Sequence, residues 1–126
     1  MSSQPKLRQL EVEDQGEITI VDFIEEKILA DRTIKEIRED LFSLFEQHGR
    51  KKMLLNFSNV VYLSTAMFSG FLLLNKAMNA AGGKLVMCNI NDDIYEVFEI
   101  TKLNKLFTIV KDEQTALATI QSPPSP

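Results

Sequence analysis

The side chains that could carry catalytic chemistry are few in this sequence, and they are far apart. His48 is the only histidine and Cys88 the only cysteine. A serine triad would have to use His48, and no G-x-S-x-G motif is present. No group of His, Cys and carboxylate residues has the spacing of metal ligands, and Gly82–Gly83 follows a helical pattern, unlike a phosphate-binding loop. We therefore expect no enzyme, no cofactor and no metal site.

The acidic, histidine and cysteine residues each have a plain structural explanation. Asp92 and Asp93 could form an acid pair or a cation site, but both fall in the first turn of a helix that Asn91 can cap. The helix dipole favours negative charge there, so a capped helix start is the simpler interpretation. His48 ends a predicted helix, where its charge would be favourable. Cys88 lies in an apolar strand and is expected to be a buried structural thiol.

Two adjacent hydroxyl residues, Ser64 and Thr65, stand where a long helix is predicted to begin. A buried strand over Lys52–Phe57 comes first, and Ser58–Asn59 form a polar break after it. The helix then ends at Gly82–Gly83, because glycine adopts the left-handed conformation without a Cβ clash. Either hydroxyl could cap the helix by accepting a backbone N–H of its first turn.

At about 100° per residue this helix has two different faces. The face suited to a sheet is small and apolar: Ala66, Met67, Gly70, Leu74, Ala77, Met78 and Ala81. The opposite face is mixed: Thr65, Phe68, Ser69, Leu72, Asn75, Lys76 and Asn79. Phe68 and Leu72 thus lie among polar residues, as in a protein-contact surface. Two interpretations remain open, since these two side chains either bind a partner or are covered by a neighbouring loop.

The other segments predict a mixed sheet with helices packed on it. Further strands are expected at Leu7–Glu13 and Glu17–Phe23, which are joined by a turn at Asp14–Gly16, and at Lys84–Asn89 and Phe107–Val110. Further helices are expected from Ile34 to His48, with Thr33 and Glu36 as a capping box, after Asn91, and over Asp112–Ile120. In the connection Ile24–Asp31, Ile28 and Leu29 are expected to enter the core. The order β-β-α-β-α-β-α-β-α predicts an α/β domain with an N-terminal hairpin, parallel strands and about four helices.

The composition limits the possible functions. The 126 residues suit one domain, which we expect over residues 1–121, with a disordered Pro-rich tail at 122–126. With 44% hydrophobic and 25% charged residues the chain can form an ordinary core. A net charge of −4 argues against nucleic acid as the main ligand. No apolar run is long enough to cross a membrane and no secretory signal is visible, so a cytoplasmic protein is expected.

The run LLNFSNVVYLSTAMFSGFLLL resembles the signature of STAS domains, which are named after sulfate transporters and anti-sigma-factor antagonists. That signature is an apolar strand, Asp/Asn-apolar-Ser, a short apolar stretch, then Asp-Ser-Ser/Thr-Gly and an apolar helix. Asn56-Phe57-Ser58 matches its first part, and Ser64-Thr65-Ala66-Met67 falls where Asp-Ser-Ser/Thr-Gly is expected. The segment from Gly82 to Val110 is similar to the second half of bacterial stand-alone members. The resemblance covers about Leu7–Ile120.

This resemblance implies an anti-sigma-factor antagonist without catalytic activity. Its partner would be an anti-sigma factor that is also a serine/threonine kinase of the histidine-kinase ATPase fold. The phosphorylated residue would be Thr65 by position, and Ser64 is the alternative, because this sequence lacks the usual Asp at Ser64 and the usual Gly at Met67. The partner-binding residues are predicted to be Ser58, Asn59, Ser64, Thr65, Phe68, Ser69 and Leu72.

A second function also remains open. The loss of the usual Asp is compatible with a scaffold subunit that assembles a larger signalling complex and is never phosphorylated. In either case no membrane or nucleic-acid partner is expected, and the protein is expected to be a monomer or a weak dimer.

Overall fold

A five-stranded mixed sheet forms the centre of the computed structural model, which describes residues 7–121. The strands are β1 (Leu10–Gln15), β2 (Ile18–Phe23), β3 (Lys27–Ile28), β4 (Lys52–Asn56), β5 (Tyr62–Leu63), β6 (Lys84–Cys88) and β7 (Thr108–Val110). The helices are α1 (Asp31–Glu46), α2 (Ala66–Ala80), α3 (Asp92–Ile100) and α4 (Glu113–Gln121), with a short 3₁₀ turn at Leu103–Lys105. The large sheet has the order β1-β2-β4-β6-β7, in which β1 and β2 are antiparallel and all other neighbours are parallel. The predicted fold class is confirmed.

The sheet is covered on both faces, which explains why its central strands are apolar throughout. Met53 and Leu55 of β4 face the larger core, to which α1, α2 and α3 contribute. Leu54 points the other way, into a smaller core that α4 closes with Ala116 and Ile120. Successive side chains of a strand point to opposite faces, so a strand buried on both sides needs apolar residues at every position.

The N-terminal hairpin is shifted relative to the prediction. β1 begins at Leu10 and not at Leu7, because the backbone N–H groups of Arg8 and Gln9 both donate to Asp40 Oδ2, at 3.0 and 2.8 Å. The strand then continues to Gln15 and the turn lies at residues 16–17, so the predicted turn at Asp14–Gly16 includes the right glycine but begins two residues too early. The loop between Gln15 and Ile18 has two residues, and Gly16 supplies the positive φ (62°) that such a tight loop needs.

Helix α1 begins earlier than predicted, and the capping box is wrong. The N-cap is Ala30, whose carbonyl accepts the Ile34 N–H at 3.0 Å, so Thr33 already lies inside the helix. Glu36 does not turn back to the helix start. Its carboxylate instead accepts the Gln9 side-chain amide at 2.9 Å, a contact between segments distant in sequence that local spacing cannot reveal.

A second, two-stranded sheet was not predicted. β3 and β5 pair in parallel, and Lys27 and Ile28 lie opposite Tyr62 and Leu63. Ile28 is fully buried as expected, whereas the expectation for Leu29 is wrong, since 54% of it is exposed. This pair matters because it joins the exit of β2 to the segment that precedes α2.

Three predicted helix boundaries are confirmed. Asn91 Oδ1 accepts the Ile94 N–H at 2.8 Å, and Asp112 Oδ1 accepts the Thr115 N–H at the same distance. After α2, Gly82 takes the left-handed conformation (φ 78°). The predicted tail at 122–126 lies outside the described residues.

A pair of matched substitutions can test whether α4 closes the smaller core. Ile120→Ala should lower the free energy of unfolding by about 2–5 kcal/mol, because it leaves a cavity under the one helix that covers this face. Ile100→Ala is the control, since Ile100 is 73% exposed and its truncation should be nearly neutral. Urea unfolding of both variants would measure the difference, and equal effects would contradict the two-core description.

Candidate partner-binding site

An irregular segment connects β4 to α2, and neighbouring segments hold it in place. The Asn59 side-chain amide donates to the carbonyls of Phe23 and Ile24 at 3.1 and 2.9 Å. On the other side, the Asn91 amide donates to the Val60 and Val61 carbonyls at 3.3 and 3.2 Å. These amides pair backbone groups that no regular element satisfies, so the segment has a defined shape.

The small parallel sheet fixes the second half of the same segment. The N–H groups of Val61 and Tyr62 donate to the Glu26 carbonyl at 2.7 and 3.1 Å. The Ser64 N–H donates to the Ile28 carbonyl at 2.8 Å. The start of α2 is therefore attached to the chain that leaves β2.

The two hydroxyls at the start of α2 differ in their surroundings. Ser64 is half-buried, and its Oγ accepts the Ala66 N–H at 3.2 Å. Thr65 has helical φ and ψ (−62° and −22°), makes no side-chain cap hydrogen bond and is exposed. Of the two predicted caps, Ser64 thus serves the helix start, whereas the Thr65 hydroxyl is accessible.

Of the two interpretations left open for Phe68, the structure supports the covered side chain. Phe68 is only 5% exposed, and its ring packs on that of Phe98 in α3, with centroids 4.7 Å apart. Leu72 is half-buried against the same core, and Asn75 is 9% exposed with its amide donating to the Leu106 carbonyl at 3.1 Å. Phe68 is therefore covered by a neighbouring element, but that element is helix α3 and not the loop that was considered. Helix α2 is buried on two sides, by the sheet and by α3 with the segment after it.

Other apolar side chains are exposed around Thr65. Ile24 and Val61 are each 46% exposed, and Leu29 and Tyr62 are each 54% exposed. They come from the exit of β2, the start of the connection to α1, and the segment before α2, which the hydrogen bonds above join. We call these four residues the apolar ring. The apolar ring was not predicted from the sequence. Its signal there is the apolar pair Val61–Tyr62, which lies shortly before the hydroxyls and outside any long strand.

Acidic residues surround the apolar ring. This end of the sheet carries the exposed carboxylates Glu25, Glu26, Asp31, Asp92 and Asp93. Lys27 lies among these carboxylates in the sequence, and its Nζ lies over the Tyr62 ring at 5.6 Å from the centroid. Of the other predicted residues, Ser58, Asn59 and Ser69 are exposed. The surface is therefore apolar at its centre and acidic at its edge.

A polar network lies behind the segment, on the α4 side of the sheet. Asn56 Oδ1 accepts the Ser58 N–H and the Asn89 amide, each at 3.0 Å, and the Asn56 amide donates to Glu113 Oε1 at 3.3 Å. Asp22 pairs in register with Asn56 on the next strand. Burial, and then the nearby Glu113 charge, raise the pKa of Asp22 above its ordinary value.

Neither this network nor Cys88 forms a reactive centre. Burial and the nearby acidic residues raise the pKa of Cys88 to about 12, so its thiol stays protonated at neutral pH and is a poor nucleophile. Within residues 7–121, no three His, Cys, Asp or Glu side chains converge in a way that could hold a metal ion. The same part of the chain contains no helix long and apolar enough to cross a membrane.

Residues 9–116 match the family model described as the STAS domain. The chain belongs to the STAS domain family. A curated relative is a proposed anti-sigma factor antagonist, BtrV of Bordetella bronchiseptica, which is 27% identical over 74 residues. That match covers 59% of this chain and 64% of BtrV, so it spans less than two thirds of the relative.

Solved structures show the same fold at low sequence identity. The crystal structure of a proposed anti-sigma factor antagonist from Thermotoga maritima superposes with a TM-score of 0.78 at 18% identity, covering 90% of this chain and 95% of the other. The Bacillus cell fate determinant SpoIIAA in its phosphorylated form gives 0.67 at 15% identity, covering 89% and 99%. At such identities the likeness establishes the fold of this STAS domain and no more.

The raised pKa of Asp22 predicts that a neutral side chain at this position stabilises the STAS domain at pH 7. The folded protein binds the Asp22 proton more tightly than the unfolded chain, so ionising Asp22 at pH 7 costs stability. Asp22→Asn should raise the urea midpoint at pH 7. The gain should shrink as the pH falls through the raised pKa of the folded protein, and it should be gone below about 4, where aspartate is protonated in both states. Glu96→Gln, an exposed position in α3, is the control. An unchanged or lower midpoint for Asp22→Asn at pH 7 would show that the burial cost is absent.

Proposed function

We propose that this STAS domain is an anti-sigma-factor antagonist, a regulatory module without catalytic activity of its own that acts in the cytoplasm. Its partner is an anti-sigma factor that is also a serine/threonine kinase of the histidine-kinase ATPase fold. Membership of the STAS family supports this, as does the similarity to BtrV, a proposed antagonist. The domain acts as a monomer or weak dimer and binds neither nucleic acid nor membrane.

One observation carries the proposal: an exposed threonine hydroxyl stands at a helix start, beside exposed apolar side chains. The Thr65 hydroxyl is not used as a cap, whereas Ser64 Oγ accepts the Ala66 N–H. A kinase needs an accessible hydroxyl, so we assign Thr65 as the phosphoacceptor and Ser64 as the cap. A docking partner needs apolar area at the centre of its contact, which the apolar ring supplies.

Phosphorylation would act on binding and leave the fold intact. A phosphate adds about −1.5 to −2 charge, and at the start of α2 the helix dipole favours that charge by roughly 0.3–1 kcal/mol. The first turn of α2 contains no acidic residue that would oppose it. In the complex, however, the same charge would have to enter a contact whose apolar centre excludes water. Its desolvation therefore opposes binding.

The partner surface that we propose differs in part from the predicted one. Phe68 is buried and Leu72 is half-buried, so neither is placed at its centre. The apolar ring takes their place, and the exposed Ser58, Asn59 and Ser69 border it with Thr65. Because the rim is acidic, the contacting surface of the partner is expected to be apolar at its centre and basic around it.

A second candidate is the scaffold subunit that is never phosphorylated. Ser64 favours it, because this residue stands where the family signature has an aspartate, and a kinase that reads that aspartate would not recognise the site. Under this candidate the apolar ring binds another protein permanently.

Thr65 separates the two candidates. With the purified anti-sigma factor kinase and ATP, mass spectrometry should find one phosphate on Thr65 and none on the Thr65→Val protein. Thr65→Asp should keep the thermal midpoint within a few degrees and weaken kinase binding about a hundredfold, which corresponds to about 3 kcal/mol. Thr65→Ser is the matched control and should behave as the original. Absence of the phosphate, together with full binding by Thr65→Asp, would favour the scaffold.

Tyr62 tests the apolar ring. Tyr62→Ala should weaken partner binding by at least tenfold, because exposed aromatic side chains at the centre of a contact contribute strongly to affinity. Leu106→Ala is the control, since Leu106 is 58% exposed but precedes β7, at the other end of the sheet. Calorimetric titration of the partner would give both affinities, and circular dichroism would check the fold. Equal affinities for the two variants would count against a contact at this end.

A further inference from the structure

Arg38 in α1 differs from the other arginines of residues 7–121. Arg8 contacts Glu39 at 2.7 Å, Arg32 contacts Glu36 at 3.4 Å, and Arg50 contacts Asp14. Arg38 has no ion pair or hydrogen bond with any residue of that range, although its side chain is half-buried. A guanidinium group presents five donors in a rigid fork that suits carboxylates, so an unpaired one on a partly covered stem is available to a ligand.

The absence of a side chain at Gly70 of α2 leaves room for the aliphatic stem of Arg38. A Cβ added at Gly70 would lie 2.8 Å from Arg38 Cγ and 3.1 Å from its Nε. The aliphatic part of Arg38 therefore occupies the space that any larger residue at position 70 would need. The stem of Arg38 thus packs against α2.

A groove of about 430 Å³ runs along α1, the helix that supplies all of its described lining residues, and two of these residues are cations. Its lining residues are Asp31, Ile34, Lys35, Arg38, Glu39 and Phe42. Arg8 neutralises Glu39, and Asp31 lies in the first turn of α1, where the dipole compensates it. Lys35 and Arg38 remain without a carboxylate partner among the described residues.

Apolar surface accompanies these two cations. Leu73 is 51% exposed, and it shares the face of α2 with Gly70, three residues earlier. Phe42 is half-buried and lies one turn beyond Arg38 on α1. The groove also begins close to Thr65, because the Ile28 carbonyl, three residues before α1, accepts the Ser64 N–H. Both helices start at the same end of the sheet, since each follows a strand of the parallel pair β2 and β4.

We propose that this groove is a second docking surface, which binds an acidic amphipathic segment of the protein partner. A carboxylate of that segment pairs with Arg38, and an apolar side chain packs on Phe42, which lines the groove. The identity of the partner rests on the proposed function, whereas the chemistry of the segment follows from the groove. The acidic rim around Thr65 and the basic groove then form one bipolar surface, which fixes the orientation of the partner.

The test uses the full chain and the purified anti-sigma factor kinase, with affinities measured by calorimetry at 50 and 300 mM NaCl. Arg38→Met retains the stem on Gly70 but removes the charge, and it should weaken binding about tenfold at low salt. Arg38→Glu should weaken it further, and Arg38→Lys should restore much of the affinity. The loss for Arg38→Met should be smaller at high salt, because salt screens the pair. Lys105→Glu is the charge control, since Lys105 is exposed just before β7, at the other end of the sheet.

The possible outcomes are distinct. Unchanged affinity for Arg38→Met and Arg38→Glu, with a weakened Tyr62→Ala protein, would overturn this inference and leave the proposed function standing. No effect of any of these variants, including Tyr62→Ala and Thr65→Asp, would overturn the proposed function too. If Arg38→Glu changes self-association in sedimentation and leaves kinase binding unchanged, the groove binds a second copy of this chain, and the proposal is wrong. Unchanged thermal midpoints of all variants would exclude unfolding as the cause of a weakened affinity.

Discussion

The structure depends on satisfying the backbone of the segment between β4 and α2. This segment is neither a helix nor part of the large sheet, yet Phe57 and Val60 within it are buried, at 1% and 3% exposure. A buried N–H or carbonyl without a partner costs about 1–3 kcal/mol. An irregular segment beyond the end of a central strand is therefore stable only if its neighbours supply the missing hydrogen bonds. Asn59, Asn91 and the β3–β5 pairing supply them. With the segment held in this way, Phe57 and Val60 are buried, whereas Val61, Tyr62 and Thr65 are exposed to solvent.

The same constraint explains why one hydroxyl is available and the other is not. Ser64 is joined to the exit of β2 through its N–H and to α2 through its Oγ, so its side chain already has a role. Thr65 has entered helical geometry, in which its hydroxyl is not needed as a cap. An aspartate at position 64 could cap equally well and would add a favourable charge at the helix start. It would also repel a phosphate on the next residue. Serine gives the cap without that repulsion, so the lost aspartate favours the scaffold candidate only through recognition by a kinase and not through the stability of a phosphorylated helix start.

The fold was largely predictable from the sequence, because its signals are local. Continuous apolar runs marked β4 and β6, and the caps at Asn91 and Asp112 depend on residues three positions away. The errors concern contacts between distant segments. Asp40 accepts the Gln9 backbone N–H before β1, the Gln9 side-chain amide donates to the Glu36 carboxylate, and β3 pairs with β5, although α1 and β4 separate them in the chain. No pattern within a single segment encodes such contacts. The apolar ring was missed for the same reason, since its members come from segments that only tertiary pairing brings together.

Helix α2 shows how a periodicity argument can fail and still lead to a surface. Its angular pattern assumes one buried face, whereas the sheet and α3 together bury two flanks, including Phe68 and Asn75. The exposed stripe that remains consists of Ala66, Ser69, Leu73, Lys76, Asn79 and Ala80. It contains small and polar residues and a single large apolar side chain, Leu73. Such a stripe lets another chain lie close to the helix backbone, and it begins at Thr65. The hydroxyl, the apolar ring and the groove beside Arg38 can therefore belong to one continuous contact surface, in which a phosphate on Thr65 would lie at the junction of its acidic and basic parts.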